Sequence, residues 1–343
     1  MDRRNATLYF SLLANIIFAF TIYFTLFQAV NKRMTMMQEP FLGNTSTFIP
    51  SVKGHSLNVS TNLPPTTKSI NFTPVKLRFM KDSPAAKPCK GNIFMLLMIN
   101  SAPRNYERRS SIRETWGKAD IIRSALGNYV WRTIFIIGDG HSKKVNDEMN
   151  QEALKYGDMI LADFGDDFRN LTYKTVLGME WANAYCNVAK YFYKGDDDVM
   201  LNPFTLFPKL VFMEGKKLFM GNIMSGSEVV RVKNSRYYVS KEDVASSVYS
   251  DYCSGFAYVI SMDVLQAMVA VVPKIRKIPI DDAYVGMLAK EVKIPVHWDR
   301  GFKPFGPIPS KKCEYNTVIA VHGILPTKQK SMMIEARKAF LTC

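Results

Sequence analysis

Three consecutive carboxylates, Asp196, Asp197 and Asp198, follow the apolar run Tyr191-Phe192-Tyr193 and precede Val199. Fold stability does not reward adjacent like charges at the end of a buried strand, because they repel one another and resist loss of water. A hard divalent cation turns that cost into a site, since Mg2+ and Mn2+ favour carboxylate oxygen and often share coordination with substrate phosphates. The plain alternative is a solvated acidic turn. Position argues against it, because ligand sites in α/β sheets sit at the carboxyl ends of strands. A second pair, Asp281-Asp282, stands before a short helical stretch. Capping and the helix dipole account for aspartates there; the functional alternative is a general base that takes the proton of an attacking hydroxyl. His322 follows the last apolar run. A lone histidine there is ordinarily structural, yet its imidazole can complete a metal shell opened by the aspartates.

Upstream, the segment Glu107-Arg108-Arg109-Ser110-Ser111-Ile112-Arg113-Glu114-Thr115-Trp116-Gly117 places Arg109 and Arg113 four residues apart. On a helix they share one face, and two guanidinium groups there could grip a diphosphate by bidentate hydrogen bonds. The competing reading is a basic solvated face paired with Glu107 and Glu114. Trp116 reads as core.

The elements that must position these groups begin at Gly91. Ile93 to Ile99, Thr133 to Ile137, Met159 to Phe164, Tyr191 to Tyr193, Leu218 to Met220, Ala257 to Ile260 and Val318 to Val321 read as buried strands. Helical patterns run through Val145 to Tyr156, Thr172 to Tyr185 and Asp263 to Val271. Such alternation predicts an α/β layered sheet in one domain, 91–343.

The 343 residues carry a formal net charge of +15. Nucleic acid is set aside as a partner, because the Lys and Arg are scattered and no recognition motif accompanies them. A basic surface suits anionic small molecules or the anionic face of a membrane equally well. Asn5 to Asn31 holds no charged side chain, and within it 8–30 is long enough to cross a bilayer as a helix. A cleaved signal peptide fits less well, because the apolar region is too long and no Ala-x-Ala-like site follows. Charges flanking the span do not orient it. The triplets starting at Asn44, Asn58, Asn71 and Asn170 all follow it, which predicts a cytosolic tail over 1–7 and a lumenal body, with Asn170 glycosylated if its turn leaves it exposed. The stretch 31–90 holds seven of the 17 prolines and reads as a mostly disordered stem. The five cysteines, Cys89, Cys186, Cys253, Cys313 and Cys343, lack zinc-type spacing. An oxidising lumen predicts two disulfides and one leftover thiol, with pairing left open.

Taken together and in order, these segments resemble the family-31 β-1,3-glycosyltransferases of the animal Golgi. The resemblance rests on RRSSIRETWG, on Asp163-Phe164 with Phe168-Arg169-Asn170-Leu171-Thr172-Tyr173-Lys174, on KGDDDV, on Tyr252-Cys253-Ser254-Gly255 and on IDDAYVG. It implies a GT-A-type mixed-sheet domain, a UDP-sugar donor, Mn2+ and a single-pass type II Golgi membrane protein. It assigns Asp198, with Asp196 and His322, to the metal. Asp282 matches the base, with Asp281 as second choice. Arg109, Arg113, Asp163, Lys174, Asp196 and Asp197 match positions around the nucleotide-sugar. KGDDDV, the Ile-Asp-Asp form of the base motif, Gly301-Phe302-Lys303 and the terminal Leu341-Thr342-Cys343 resemble the N-acetylglucosaminyltransferase branch more than the galactosyltransferases. The donor is thus UDP-GlcNAc, or UDP-Gal as the alternative, and the acceptor a glycan on a glycoprotein or glycolipid. A homodimer is compatible with the resemblance. Two other classes compete. A catalytically inactive lumenal sugar-binding or partner-stabilising module need not keep Asp198, Asp282 and His322, and a metal-dependent phosphohydrolase would leave most motifs unexplained.

Overall fold

β1 (Ile93–Asn100) is buried at every one of its eight positions in the computed structural model, as a strand covered on both faces must be. It pairs in parallel with β2 (Trp131–Asp139) on one side and β4 (Ala189–Asp196) on the other. β3 (Met159–Gly165) extends the parallel half beyond β2. Beyond β4 the sheet becomes mixed. β7 (Tyr252–Ser261) runs antiparallel both to β4 and to β6 (Phe219–Met224), and β8 (His297–Trp298) lies parallel to β6 at the edge. The order is β3-β2-β1-β4-β7-β6-β8. A smaller sheet joins β5 (Met200–Leu201), β10 (Ala320–Val321) and β9 (Phe302–Lys303), with β10 in the middle. The structure describes residues 79–81, 83, 86–118, 130–306 and 308–343.

The two-residue period of a strand divides the core. Leu97, Ile99, Phe135, Ile137, Tyr191 and Tyr193 face one way, onto α1 (Tyr106–Glu114), α2 (Lys143–Tyr156), α4 (Pro203–Val211) and α7 (Pro326–Thr342). Leu96, Met98, Ile134, Ile136 and Phe192 face the other, onto α3 (Leu171–Tyr185), α5 (Met262–Val271) and α6 (Asp281–Glu291). Trp116 is fully buried in the first layer.

The expected mixed α/β layering is present. The apolar run Val318 to Val321 narrows to the two-residue β10, in the smaller sheet. The chain before Gly91 is tied to the body: Phe79 bridges Ala162, Met80 N–H donates to the Leu161 carbonyl at 2.8 Å, and Cys89 is bonded to Cys186. The folded body therefore starts before the boundary drawn at Gly91. A second disulfide, Cys313–Cys343, ties the 3-10 turn Lys312–Thr317 to the end of α7, and Cys253 is the buried free thiol. The 8–30 span and the triplets at Asn44, Asn58 and Asn71 lie outside the described residues. Among the described residues no helix is long and apolar enough to cross a membrane.

Candidate active site

β1 and β4 end side by side, with Asn100 in register with Asp196. The Asp197 N–H donates to the Asn100 carbonyl at 3.1 Å, which holds the acidic turn at the carboxyl edge of the sheet. From there the three aspartates diverge. Asp197 is buried, and its carboxylate accepts from Ser101 Oγ at 2.7 Å, Asn105 Nδ2 at 2.9 Å and Arg108 Nη1 at 2.9 Å. Its charge is fully engaged by the protein, as a buried charge requires. The sequence grouped Asp197 with the nucleotide contacts. The structure makes it the anchor of the turn instead.

Asp198 points elsewhere. Its Oδ1 is buried without a hydrogen-bond partner and lies 3.4 Å from His322 Nε2. One ligand atom from each of Asp196, Asp198 and His322 lies within 4.8 Å of the others. Two carboxylates, one with an orphaned oxygen, and an imidazole form a donor set that fits a divalent cation. Burial pushes the Asp196 carboxyl up to about 6, against the pull of Lys194, whose Nζ donates to Asp196 Oδ1 at 2.8 Å. His322 is brought in by the smaller sheet, its N–H donating to the Lys303 carbonyl at 3.2 Å.

The second pair opens α6. Asp281 is buried, and its Oδ2 accepts from Thr175 Oγ1 at 2.8 Å. Asp282 is half-buried. Its Oδ2 accepts from the Gly255 N–H at 3.0 Å, and its Oδ1 from the Ala283 N–H at 2.8 Å. Glycine at 255 allows this close approach, since a Cβ there would stand 3.2 Å from the Asp282 Cβ and push the carboxyl aside by a few tenths of an ångström. Burial, and then the charge of Asp281, push the Asp282 carboxyl up to about 7 despite the two amides. A carboxyl that exchanges its proton near neutrality has the property a general base needs.

The expected arginine grip is turned inward. Arg109 is buried, with Nε and Nη2 on Glu152 at 2.9 and 2.6 Å, Nη1 on Ser101 Oγ and the Ala102 carbonyl, and Nη2 on the Pro103 carbonyl. All five guanidinium donors are used, so none is left for a diphosphate. Arg113 pairs with Glu152 and, through two nitrogens, with Asp158, and lies over the Tyr156 ring at 3.9 Å. Lys174 is buried on Asp166, at 2.7 and 2.8 Å, and on the Ser101 carbonyl at 3.0 Å. Asp163 is exposed on β3.

Three residues not singled out in the sequence reading complete the site. Arg108 reaches both Asp197 and Asp198, at 2.9 and 3.4 Å, and keeps a third of its side chain exposed. Gln329 on α7 is fully buried, donating to the Asp197 carbonyl at 3.2 Å and accepting from Trp116 Nε1 at 3.2 Å. Lys194 lies between the two acidic clusters. The sequence signals were slight: a second arginine beside Arg109, a polar residue in a helical stretch, a lysine directly after an apolar run.

The galactosyltransferase family model matches residues 107–300. A lactosylceramide 1,3-N-acetyl-beta-D-glucosaminyltransferase of Rattus norvegicus is 34% identical over 239 residues, covering 68% of this chain and 63% of that protein. An acetylgalactosaminyl-O-glycosyl-glycoprotein beta-1,3-N-acetylglucosaminyltransferase of Homo sapiens is 32% identical over 276 residues, covering 76% and 71%. Beta-1,3-galactosyltransferase 1 of Mus musculus is 30% identical over 264 residues, covering 76% and 78%. The chain spans less than two thirds of the length of the lactosylceramide 1,3-N-acetyl-beta-D-glucosaminyltransferases it matches, 63 to 65%.

Proposed function

The chain belongs to the galactosyltransferase family, and from that premise we propose that it is an inverting β-1,3-glycosyltransferase. It moves GlcNAc, or alternatively Gal, from a UDP-sugar to the 3-hydroxyl of a glycan acceptor. One observation carries the reading: an orphaned Asp198 oxygen within ligand reach of Asp196 and His322, at the same sheet edge as a carboxyl whose proton exchanges near neutrality.

In this reading Asp196, Asp198 and His322 hold the cation, with Mn2+ the metal the family resemblance implies. When bound, it supplies Lewis-acid stabilisation of the charge that builds on the diphosphate. Asp282 accepts the acceptor hydroxyl proton as the new bond to the anomeric carbon forms and the bond to the UDP oxygen breaks. Attack opposite the leaving group inverts the configuration. Arg108, part-exposed beside Asp198, lies on the diphosphate side. Asp163, exposed on β3, contacts the nucleotide, and Arg113 and Lys174 act indirectly, by holding Glu152, Asp158 and Asp166 in place. Asp281 and Thr175 fix the first turn of α6, and with it the base.

The domain adopts a GT-A-type arrangement in the Golgi lumen, anchored as a single-pass type II protein through 8–30. The disulfides Cys89–Cys186 and Cys313–Cys343 suit that oxidising compartment. The test is incubation of the purified body with a panel of UDP-sugars and glycan acceptors, with and without EDTA, and NMR of the product linkage. A β-1,3 bond formed only with a divalent cation supports the reading. UDP-sugar hydrolysis without transfer, or full transfer in chelator, overturns it.

A further inference from the structure

Lys194 is a buried charged residue directly after the apolar run of β4. It follows Tyr191-Phe192-Tyr193 on β4, in register with Met98 on β1 and Tyr258 on β7, and its side chain is 3% exposed. An apolar side chain would fill such a position at lower cost, because a buried ammonium must be paired on all sides. Its surroundings show what the charge is for. Nζ donates to Asp196 Oδ1 at 2.8 Å and to the Gly255 carbonyl, and lies 3.7 Å from Asp281 Oδ2. The N–H of the same Gly255 holds Asp282 Oδ2 at 3.0 Å. Lys194 thus touches the cation-fitting carboxylate directly, the partner of the base at 3.7 Å, and the base itself through one glycine.

We propose that Lys194 is a positioning residue that sets the geometry and the charge of the proton-accepting carboxyl, linking it to the carboxylates at the end of β4. The proposal rests on the reading of Asp282 as the base. Neutral in place of charged, the residue would leave Asp281 and Asp282 facing each other uncompensated at the start of α6, and would release Gly255 from one side. The ammonium is met by Asp196, by the Gly255 carbonyl and by Asp281, as a buried charge requires. The groups that face Asp282 are Asp281 on its own helix, Lys194 on β4, Tyr252, Cys253 and Tyr258 on β7, and Tyr249 in the loop before β7. Burial holds those tyrosines and the thiol in their neutral forms, so Lys194 is the cation of the set.

Lys194→Gln keeps a hydrogen-bond donor for Asp196 or Gly255 and removes the charge, whereas Lys194→Arg keeps the charge. Two readouts follow each variant, with thermal melts reporting folding. The first is the pH midpoint of the Gly255 amide shift by NMR of the metal-free body, which reports Asp282 protonation without catalysis. The second is the acidic limb of kcat/KM. Removing an opposite charge moves a nearby carboxyl up, by about 1 unit or more for a partner within about 4–6 Å and by less when the charge acts through an intervening group. Lys194→Gln should therefore raise both midpoints, with activity recovering at higher pH, and Lys194→Arg should leave them near wild type. A folded Lys194→Gln with unmoved midpoints overturns the proposal. If that variant does not fold, a folded Lys194→Arg with displaced midpoints overturns it, and unmoved midpoints support it. Absence of transfer by the wild type would instead sink the assigned reaction, while the amide titration still decides the role of Lys194.

Discussion

Arg108 Nη1 donates to Asp197 Oδ1 at 2.9 Å and stands 3.4 Å from Asp198 Oδ2, so one guanidinium spans two adjacent carboxylates with different tasks. Asp197 faces inward to Ser101 and Asn105, and Asp198 faces the cation-fitting side with His322. The prediction is a split phenotype. Asp197→Asn leaves the donors Ser101, Asn105 and Arg108 with a weaker acceptor and should cost about 1–3 kcal/mol of stability. Asp198→Asn should leave the melting temperature within a few degrees and abolish calorimetric Mn2+–UDP binding. Equal loss of metal affinity in both, with no change in melting, would remove the distinction.

The Arg109–Glu152 pair gives a second test. Both side chains are nearly sealed from water, 1% and 5% exposed, and the geometry is bidentate. Arg109→Met takes two of the three hydrogen bonds from the buried Glu152 carboxylate, leaving it to Arg113 alone, and should destabilise by about 1–3 kcal/mol, read from urea unfolding. Adding Glu152→Leu should recover part of that loss, because it removes the half-satisfied carboxylate while Arg113 keeps Asp158. The KM for the UDP-sugar should change little in the double variant. A large rise in KM with stability restored would return Arg109 to the diphosphate.

These two pairs mark where a sequence stops being informative. The strands were legible because apolar runs of strand length have few other fates, and the acidic turn because its charges had no structural reason to adjoin. Spacing placed Arg109 and Arg113 on one face of α1, but not which way that face looks. That direction is set by Glu152 and Asp158, 43 and 45 residues further on. α7 was missed for a related reason. Its buried line is Gln329, Met332, Met333, Ala336 and Ala339, two methionines among a glutamine and small alanines, flanked by lysines, with weak apolar contrast. Gln329 is buried because Trp116 and the Asp197 carbonyl, 213 and 132 residues away, satisfy its amide. No local pattern carries such a partner.

The triplet at Asn170 yields a third prediction, and it reverses the condition set by the sequence. Asn170 Nδ2, the atom a glycan would occupy, donates to the Gly165 carbonyl at 2.9 Å and to Asp167 Oδ2 at 3.0 Å. Thr172 is buried, its hydroxyl on the Ile278 carbonyl. A glycan there would break the turn leading into α3. Mass spectrometry of the secreted body should find Asn170 unmodified, and high occupancy with full activity would contradict the turn.

The last prediction concerns protons at Asp282. Burial and the Asp281 charge place its midpoint at about 7, and a base must be deprotonated to act. Activity should therefore fall as pH drops through about 7, with unit slope and about a tenth of the plateau remaining one unit lower. The same shift has a stability sign. The folded carboxyl holds its proton more tightly than the unfolded chain, so its contribution to stability is complete below the ordinary carboxylate range. It is lost as pH rises through about 7. Catalysis and stability thus pull in opposite directions at one residue. Asp282→Asn should remove both dependences: turnover falls by about 10² to 10⁴, Mn2+–UDP affinity survives, and the melting temperature declines less steeply between about pH 4 and about pH 7. Asp281→Asn, which removes the like charge, should instead lower the acidic limb while retaining turnover. Normal turnover in Asp282→Asn, with collapse in Asp281→Asn, would move the base to the neighbour, and an acidic limb unmoved in both would make the cluster a helix cap.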